Sequence, residues 1–377
     1  MRARKNIFRT FAPEMEYNAK NDFKLMKPFR HFLGVALIIA LPLLTTSCDD
    51  ILGEWDRPTP QTEVPAAALG SAENPYQIAT SADWDAFAAK VNGGESTIHA
   101  KLTADLSGVT TVIGTADNPF KGTFDGQGYK ISAVDIAGES NVGLFGYVND
   151  AAAVIQNVVV ASGTVTASGQ NVGAIVGHMK EGTIKYCANY AAVSSTYSST
   201  ESGARLGGIV GWMEGVSGGA NTVTYCINLG DITASATNGG YAGGIVGSFG
   251  VHSSGAGDAV TYCQNYGKIT TSYGYGIGGI AGFLYATTSD PFTLANNHNG
   301  GNLVNSAASS NFNNVIFGGN NITGASAAAS NSYLSTMTVQ LATAAATAPA
   351  DGQVKGATKV TSNPAGITIG SKTYTKE

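Results

Sequence analysis

A glycine-rich phrase recurs about once every 35 residues, and this period constrains the fold more than any other feature of the chain. It reads Val142-Gly143-Leu144-Phe145-Gly146, then Gly173-Ala174-Ile175-Val176-Gly177. It returns as Gly207-Gly208-Ile209-Val210-Gly211, Gly243-Gly244-Ile245-Val246-Gly247 and Gly278-Gly279-Ile280-Ala281-Gly282, with a weaker copy at Asn314-Val315-Ile316-Phe317-Gly318. The closing glycines are 31, 34, 36, 35 and 36 residues apart. A fixed period in the range of roughly 20–50 residues means stacked units, each burying its apolar side against its neighbours. Such a solenoid is mostly a surface, so binding is the first functional class to expect.

A second phrase keeps step with the first. It reads Ile184-Lys185-Tyr186-Cys187-Ala188-Asn189, Val223-Thr224-Tyr225-Cys226-Ile227-Asn228 and Val260-Thr261-Tyr262-Cys263-Gln264-Asn265. Copies at Ile155-Gln156-Asn157 and Asn297-His298-Asn299 lack the cysteine. One repeat is therefore a glycine-flanked apolar strand, a variable loop, a second strand with a Cys/Asn step and a third short strand. Only 12% of the 377 residues are charged, about half the usual share. Gly, Thr, Val and Tyr in such a background suit stacked strands rather than a helical bundle.

The N-terminus reads as a targeting segment. Lys27 and Arg30 precede an apolar run, Phe32 to Leu44, that ends at Thr45-Thr46-Ser47-Cys48. The run is too short to span a bilayer and has the order of a secretory signal. Cysteine directly after small residues resembles the lipobox of bacterial lipoproteins, with Thr45 where that motif prefers Leu. The resemblance implies cleavage before Cys48 and acyl chains, palmitate among them, on that cysteine. Met26 opens a conventional signal by itself and is a second reading of the start. Beyond residue 47 the chain holds 13 basic and 23 acidic residues, a net charge of −10. That excludes the basic footprint of a nucleic-acid binder. Asp49, Asp50, Glu54 and Asp56 lie in a solvated tether, and acids at this place resemble the surface-export signal of Bacteroidetes lipoproteins.

Beyond the tether, Thr80 or Ser81 can cap a helix whose Trp84, Phe87, Ala88 and Val91 share one face, with Gly93-Gly94 at its end. An amphipathic helix ahead of a solenoid is a natural lid for the first open edge. The paired phrases resemble the GLUG-motif proteins, most closely at Gly208–Ile232 and Gly244–Ile269. The resemblance covers roughly residues 74–318 and implies a parallel β-solenoid. Copies depart from it at Ala191 and Ala192, and at Asn297, where an irregular coil is expected. In such a stack Asn189, Asn228, Asn265 and Asn299 would form a column of amides bonded from coil to coil. Cys187, Cys226 and Cys263 would form a buried thiol ladder, since side chains pointing the same way disfavour bridging. Whether Tyr or Cys faces inward at that step stays open.

Catalytic constellations are not evident. There is no His-Glu-x-x-His, no nucleophile elbow, no Walker-type loop and no Cys-x-x-Cys metal pair. Glu181, Glu201, Glu214, Asp231, Asp258 and Asp290 look dispersed, as solvated loop charges. Tyrosines are more suggestive: Tyr190, Tyr241, Tyr266, Tyr273 and Tyr275 are the candidate ligand contacts, with Tyr197 and Tyr285 nearby in sequence, because exposed Tyr with Asn and Ser suits adaptable polar recognition.

The sequence thus predicts an all-β chain, a parallel β-solenoid (β-helix) of about six or more coils with an N-terminal capping helix. Residues 1–47 are the signal peptide, 48–73 the lipidated cysteine and tether, 74–140 the cap helix and first coils, 141–318 the repeat solenoid and 319–377 a C-terminal cap or partly ordered tail. The expected role is a non-enzymatic outer-membrane lipoprotein, exposed at the cell surface, that serves adhesion or binds a ligand such as a glycan, with no cofactor or metal. Its expected partners are membrane lipid through Cys48, a glycan or a host surface protein, and no nucleic acid. The alternatives are a glycan-active β-helix enzyme and a structural subunit of a surface assembly.

Overall fold

The computed structural model describes residues 67–376, apart from 198–202, 217–218, 236–239, 252–256, 273–275, 287–291, 307–312, 323–326, 343 and 355–356. The signal segment, Cys48 and most of the tether lie outside the described residues.

The fold is a parallel β-helix. Its strands make one long sheet of 13 strands and three narrower ones of nine, seven and five. The coil that begins at Gly240 shows the plan. Gly240–Gly243 belongs to the five-stranded sheet, Val246–Val251 and Asp258–Thr261 to the long sheet, Gln264–Asn265 to the nine-stranded sheet and Ile269–Thr271 to the seven-stranded one. Gly276–Gly278 then opens the next coil.

Register places like over like. Phe145, Val176, Val210, Val246, Ala281 and Phe317 form one core column. Ile155, Ile184, Val223, Val260 and Leu294 form a second. Val165, Val193, Ile232, Ile269, Leu303 and Val339 form a third. Inward residues of alternating strands are buried because parallel neighbours sit only about 4.8 Å apart, which leaves no room for water between equivalent side chains.

The predicted helix spans Ser81–Asn92. Thr80 and Asp83 close a reciprocal capping box, and Trp84, Phe87, Ala88 and Val91 are buried. Trp84 packs edge-on against Phe124 and Phe145, at 5.5 and 6.1 Å between ring centroids. Its indole N–H donates to the Thr111 carbonyl at 2.8 Å. The open core of the first coils is thereby plugged with aromatic rings.

The two sequence phrases recur together for a steric reason. Asn228, Asn265 and Asn299 point inward, and a Cβ on Gly208, Gly244 or Gly279 would collide with their amide groups. In these three copies the middle glycine makes room for the asparagine of the same coil and for a carbonyl of the next one, whereas Ala174 and Val315 take that place in other copies. These glycines have ordinary backbone angles, so close approach, and not a left-handed corner, requires them. Along the column, Asn189 Nδ2 donates to Asn228 Oδ1 at 2.8 Å, Asn228 to Asn265 at 2.9 Å and Asn265 to Asn299 at 2.9 Å. Each Nδ2 also donates to a carbonyl two residues on, those of Ala191, Gly230, Gly267 and Gly301. The column ends on Met337 Sδ, 3.5 Å from Asn299 Nδ2.

Two expectations are revised. The coil at Asn297 is regular: Asn297 takes the cysteine position, accepts from Cys263 N at 2.9 Å and donates to Asn331 Oδ1 at 3.1 Å. Parallel pairing also continues past residue 318, through Asn331–Leu334 and Val339–Leu341 to Ala357–Val360. The last residues form an antiparallel hairpin, Ile367–Ile369 with Lys372–Tyr374.

Asn228→Ala removes a fully buried donor–acceptor pair in mid-column. Thermal unfolding of that variant should show a loss of about 2–4 kcal/mol, whereas Thr233→Ala, on an exposed position of the same coil, should stay within about 0.5 kcal/mol. Equal effects would mean that the amide column adds nothing beyond backbone pairing.

Candidate functional site

The corner between the long and nine-stranded sheets decides what faces outward. Tyr186, Tyr225 and Tyr262 occupy it with φ of 54, 51 and 54°, the left-handed region that bulky residues rarely adopt. Asn157, Asn296 and Ser330 hold the same turn in other coils, with φ of 55, 58 and 56°. This conformation turns the next residue, the cysteine, into the core and leaves the tyrosine outside. Cys187, Cys226 and Cys263 are buried and unbridged, and their Sγ atoms lie 3.4, 3.3 and 3.3 Å from the Lys185, Thr224 and Thr261 carbonyls. Burial pushes the Cys187 and Cys226 thiols well above their usual range, so neither is a nucleophile or a ready metal ligand.

The outward tyrosines stack. Ring centroids are 5.2 Å apart for Tyr186–Tyr225 and 4.9 Å for Tyr225–Tyr262, with interplanar angles of 14 and 5°. All three stay exposed, at 36, 38 and 45%. Beside them runs a groove of about 460 Å³, completed by Gln264, Asn296, His298, Ser332 and residues 364–368. Its lining contains no carboxylate, ammonium or guanidinium group.

The C-terminal hairpin forms the other wall. It crosses the nine-stranded sheet against the direction of the coils. Ala365 accepts from Gln264 Nε2 at 2.7 Å, and Ile367, Ile369 and Tyr374 cluster with Val159, Ala188, Ile227 and Tyr266. These are outward positions of the sheet, and the hairpin is what buries them. His298 shares that shelter: Nδ1 lies 2.9 Å from Ser332 Oγ, and burial pushes its imidazole down to about 4.

The tyrosines chosen from sequence do not form one surface. Tyr266 is 5% exposed, bonded to Gln264 Oε1 at 3.0 Å and packed on His298, so it is not a ligand contact but part of the wall beneath the hairpin. Burial holds its hydroxyl well above the usual range. Tyr190 is exposed beside Tyr374, while Tyr241 lies in the five-stranded sheet, 4.4 Å from the Phe283 ring. Tyr273 and Tyr275 lie outside the described residues. The exposed ladder had a sequence signal: a tyrosine precedes each cysteine at the repeat period.

A second cluster lies on the outer face of the long sheet. Tyr147, His178, Trp212, Ser248 and Phe283 are one register column. The His178 ring is 4.5 Å from Tyr147 and stacks on Trp212 at 4.3 Å. Arg205, from the five-stranded sheet, lies over the other ring of the pair, 4.2 Å from the Trp212 centroid. Glu214 Oε2 is 2.9 Å from His178 Nε2 and 3.4 Å from Lys180 Nζ. Burial pushes His178 down; burial alone would raise Glu214, but its bond to His178 and the Lys180 charge hold it below the usual carboxylate value. Glu214 is therefore in a strand and paired, not a loop charge. Asp258 is buried as well, with its carboxyl raised to about 6 by burial. Among the described residues no group of three His, Cys, Asp or Glu side chains could hold a metal ion.

No known family model matches the chain. Over 162 residues it is 30% identical to halomucin of Haloquadratum walsbyi, a stretch that covers 38% of this chain and 2% of that protein. The chain thus spans only about 2% of that relative's length. In structure it is similar to a Bacteroides ovatus protein described as a candidate immunoglobulin A1 protease, with a TM-score of 0.54 and 18% identity over 77% of this chain and 84% of that one. At that identity the likeness is one of fold. The class defined here is the parallel β-helix, with an aromatic ladder and a hairpin-walled groove on its flank.

Acid should loosen that wall. The folded-state value of His298 is below its ordinary 6.5, so its contribution to stability is complete above about pH 6.5 and is lost as pH falls toward 4. Asp258 works in the opposite sense, because its raised carboxyl contributes below 3.8 and loses that contribution as pH rises through about 6. His298→Gln should therefore flatten the acid limb, sparing about 1–3 kcal/mol at pH 4.5 relative to pH 7.5. An acid limb as steep as the parent's would separate His298 from the stability of the hairpin.

Proposed function

We propose that this chain is a lipoprotein of the cell envelope, anchored through Cys48 and exposed at the surface. Its β-helix binds a neutral glycan along the ladder of Tyr186, Tyr225 and Tyr262. The observation that carries the reading is three parallel, exposed rings beside a groove lined only by neutral groups. Aromatic faces and edges supply apolar contact to the C–H faces of sugars, while Gln264, Asn296 and Ser332 supply directional amide and hydroxyl partners. Because the ladder repeats with the coil, at about 4.8 Å, it suits an extended polymer better than a compact molecule.

A non-enzymatic role is part of this reading: the lining holds no carboxylate, ammonium or guanidinium group, and its imidazole, His298, is sheltered beneath the hairpin and bonded to Ser332. The glycan-active alternative would need chemistry from elsewhere on the surface. The protease description of the structural neighbour belongs to that protein. GLUG-type repeats at Gly208–Ile232 and Gly244–Ile269 fit a surface module, as does the acidic stretch after Cys48.

The test is retention of the mature chain on neutral polysaccharides and mucin glycans, with release of reducing ends scored in the same samples. Tyr225→Ala and Tyr262→Ala should each weaken retention about tenfold or more, with the melting temperature little changed. Retention that is indifferent to both substitutions would sink the ladder as the site, and release of reducing ends would replace adhesion with catalysis. Cys48→Ser should move the protein from the membrane to the soluble fraction; persistence in the membrane would refute the anchor.

A further inference from the structure

The C-terminal hairpin is held to the coils by side chains. Among the described residues no backbone hydrogen bond ties Ile367–Ile369 or Lys372–Tyr374 to the nine-stranded sheet, and the two strands pair with each other alone. The hold is an apolar patch, Ile367, Ile369 and Tyr374 on Val159, Ala188 and Ile227, together with the bond from Gln264 Nε2 to the Ala365 carbonyl. The coils beneath are tied differently, each strand paired with the one before and the one after. A two-stranded hairpin of three residue pairs has little stability of its own, and segments without ladder bonds to the body are the first to open.

The seam beneath the hairpin is also incompletely paired. Among the described residues, His298 Nε2, Asn363 Oδ1 and Tyr374 Oη are buried without a hydrogen-bond partner. Asn363 acts on the His298 ring, yet the two atoms close no bond. Burying such atoms unpaired is costly, and water satisfies all three once the hairpin moves off. Open space lies along the hairpin and at its tip. The groove follows residues 364–368, and a cavity of about 610 Å³ borders Ile369, Ser371 and Lys372, with Asp105 and Tyr129 also in its lining. At the tip Gly370 meets Gly128: a Cβ on Gly370 would stand 3.6 Å from the Gly128 Cα, and one on Gly128 would stand 3.4 Å from the Gly370 Cα.

We propose that the hairpin is a strap, hinged in residues 361–366, that lifts from the nine-stranded sheet while the coils stay folded and so admits an extended ligand sideways into the tyrosine groove. The gating half of this inference rests on the ladder reading above; the lifting half does not. A polymer lying along Tyr186, Tyr225 and Tyr262 passes between those rings and residues 364–368. With the wall fixed, such a chain has to thread in from one end; with the wall lifted, it lies down along its whole length. The wall then returns over it, as lids do in sites that close on their ligands. Two opposed terms poise the strap. Cover for Val159, Ala188 and Ile227 favours the closed state, and the three unpaired polar atoms favour the open one.

Thiol alkylation of the mature chain, carried out on a Cys48→Ser background and followed by mass spectrometry, tests the assignment. Val159→Cys places a thiol beneath the strap, and Cys226, buried in the coil core, reports unfolding of the coils themselves. The Val159→Cys thiol should react about tenfold or more faster than Cys226. Gly128→Cys with Gly370→Cys pins the tip, where the approach of the two residues suits a disulfide. Oxidised, the pin should slow alkylation of the Val159→Cys thiol about tenfold or more, and reduction should restore it. Should Val159→Cys disturb the fold, hydrogen exchange of residues 367–374 with and without the pin gives the same reading. The pin should also slow both association and dissociation of a neutral polysaccharide about tenfold. Alkylation of the Val159→Cys thiol no faster than that of Cys226, or indifferent to the pin, overturns the strap. Polysaccharide that binds through Tyr262 at rates the pin leaves unchanged overturns the gate. A strap that opens on a chain that binds no polysaccharide overturns the gate together with the ladder reading, while the strap stands on alkylation, so the two failures are distinct.

Discussion

Asparagine packed on glycine is the contact on which this solenoid depends. Backbone pairing alone would hold parallel strands at the right spacing, but it would not choose a register, since a slip leaves the number of backbone bonds almost unchanged. The buried Asn189–Asn228–Asn265–Asn299 column does choose one. Each amide bonds to the next coil and to a carbonyl of its own turn. A slip would bury those amides without partners, at a cost of about 1–3 kcal/mol each. At Asn228, Asn265 and Asn299 the adjoining strand offers glycine where a Cβ would collide with the amide, while the coil of Asn189 carries Ala174 at that place.

From that contact the division between inside and outside follows. The left-handed residue at Tyr186, Tyr225 and Tyr262 reverses the pleat for one step, which sends the thiol inward and the phenol outward. Since equivalent residues stack, each outward choice is repeated, and a single sequence preference becomes a ladder. The same multiplication acts on the long sheet, where Tyr147, His178 and Trp212 pile into one aromatic column. Repetition is thus both the stabilising device and the means by which short-range chemistry becomes a surface.

A stack of coils has two open ends and unprotected outer faces. The first end is filled by the capped helix with Trp84 and Phe87, which meet Phe120, Phe124 and Phe145. The outer face of the nine-stranded sheet is covered by the C-terminal hairpin, so that Val159, Ala188 and Ile227, apolar yet outward, escape water. The hairpin also makes a groove where there would otherwise be a flat wall, which ties the order of the C-terminus to the shape of the candidate site.

Much of this was legible in the chain alone. The glycine period and the Cys/Asn step imply a parallel β-helix because only stacked coils satisfy a fixed repeat of glycine, apolar and amide residues. Thr80, Asp83 and the Trp84–Phe87–Val91 spacing likewise specify the helix, since capping and amphipathicity are local properties. What faces what was not legible. Tyr266 reads as exposed until the hairpin, about a hundred residues further along, is laid over it. Tyr186, Tyr225 and Tyr262 read as strand residues until their backbone angle turns them out. Glu214 reads as an isolated acid until register sets it beside His178 and Lys180. Sequence by itself determined the repeating unit, because that depends on residues within one turn of chain. Tertiary structure alone decided the surfaces, because those are made by residues that register and the returning hairpin bring together from different coils.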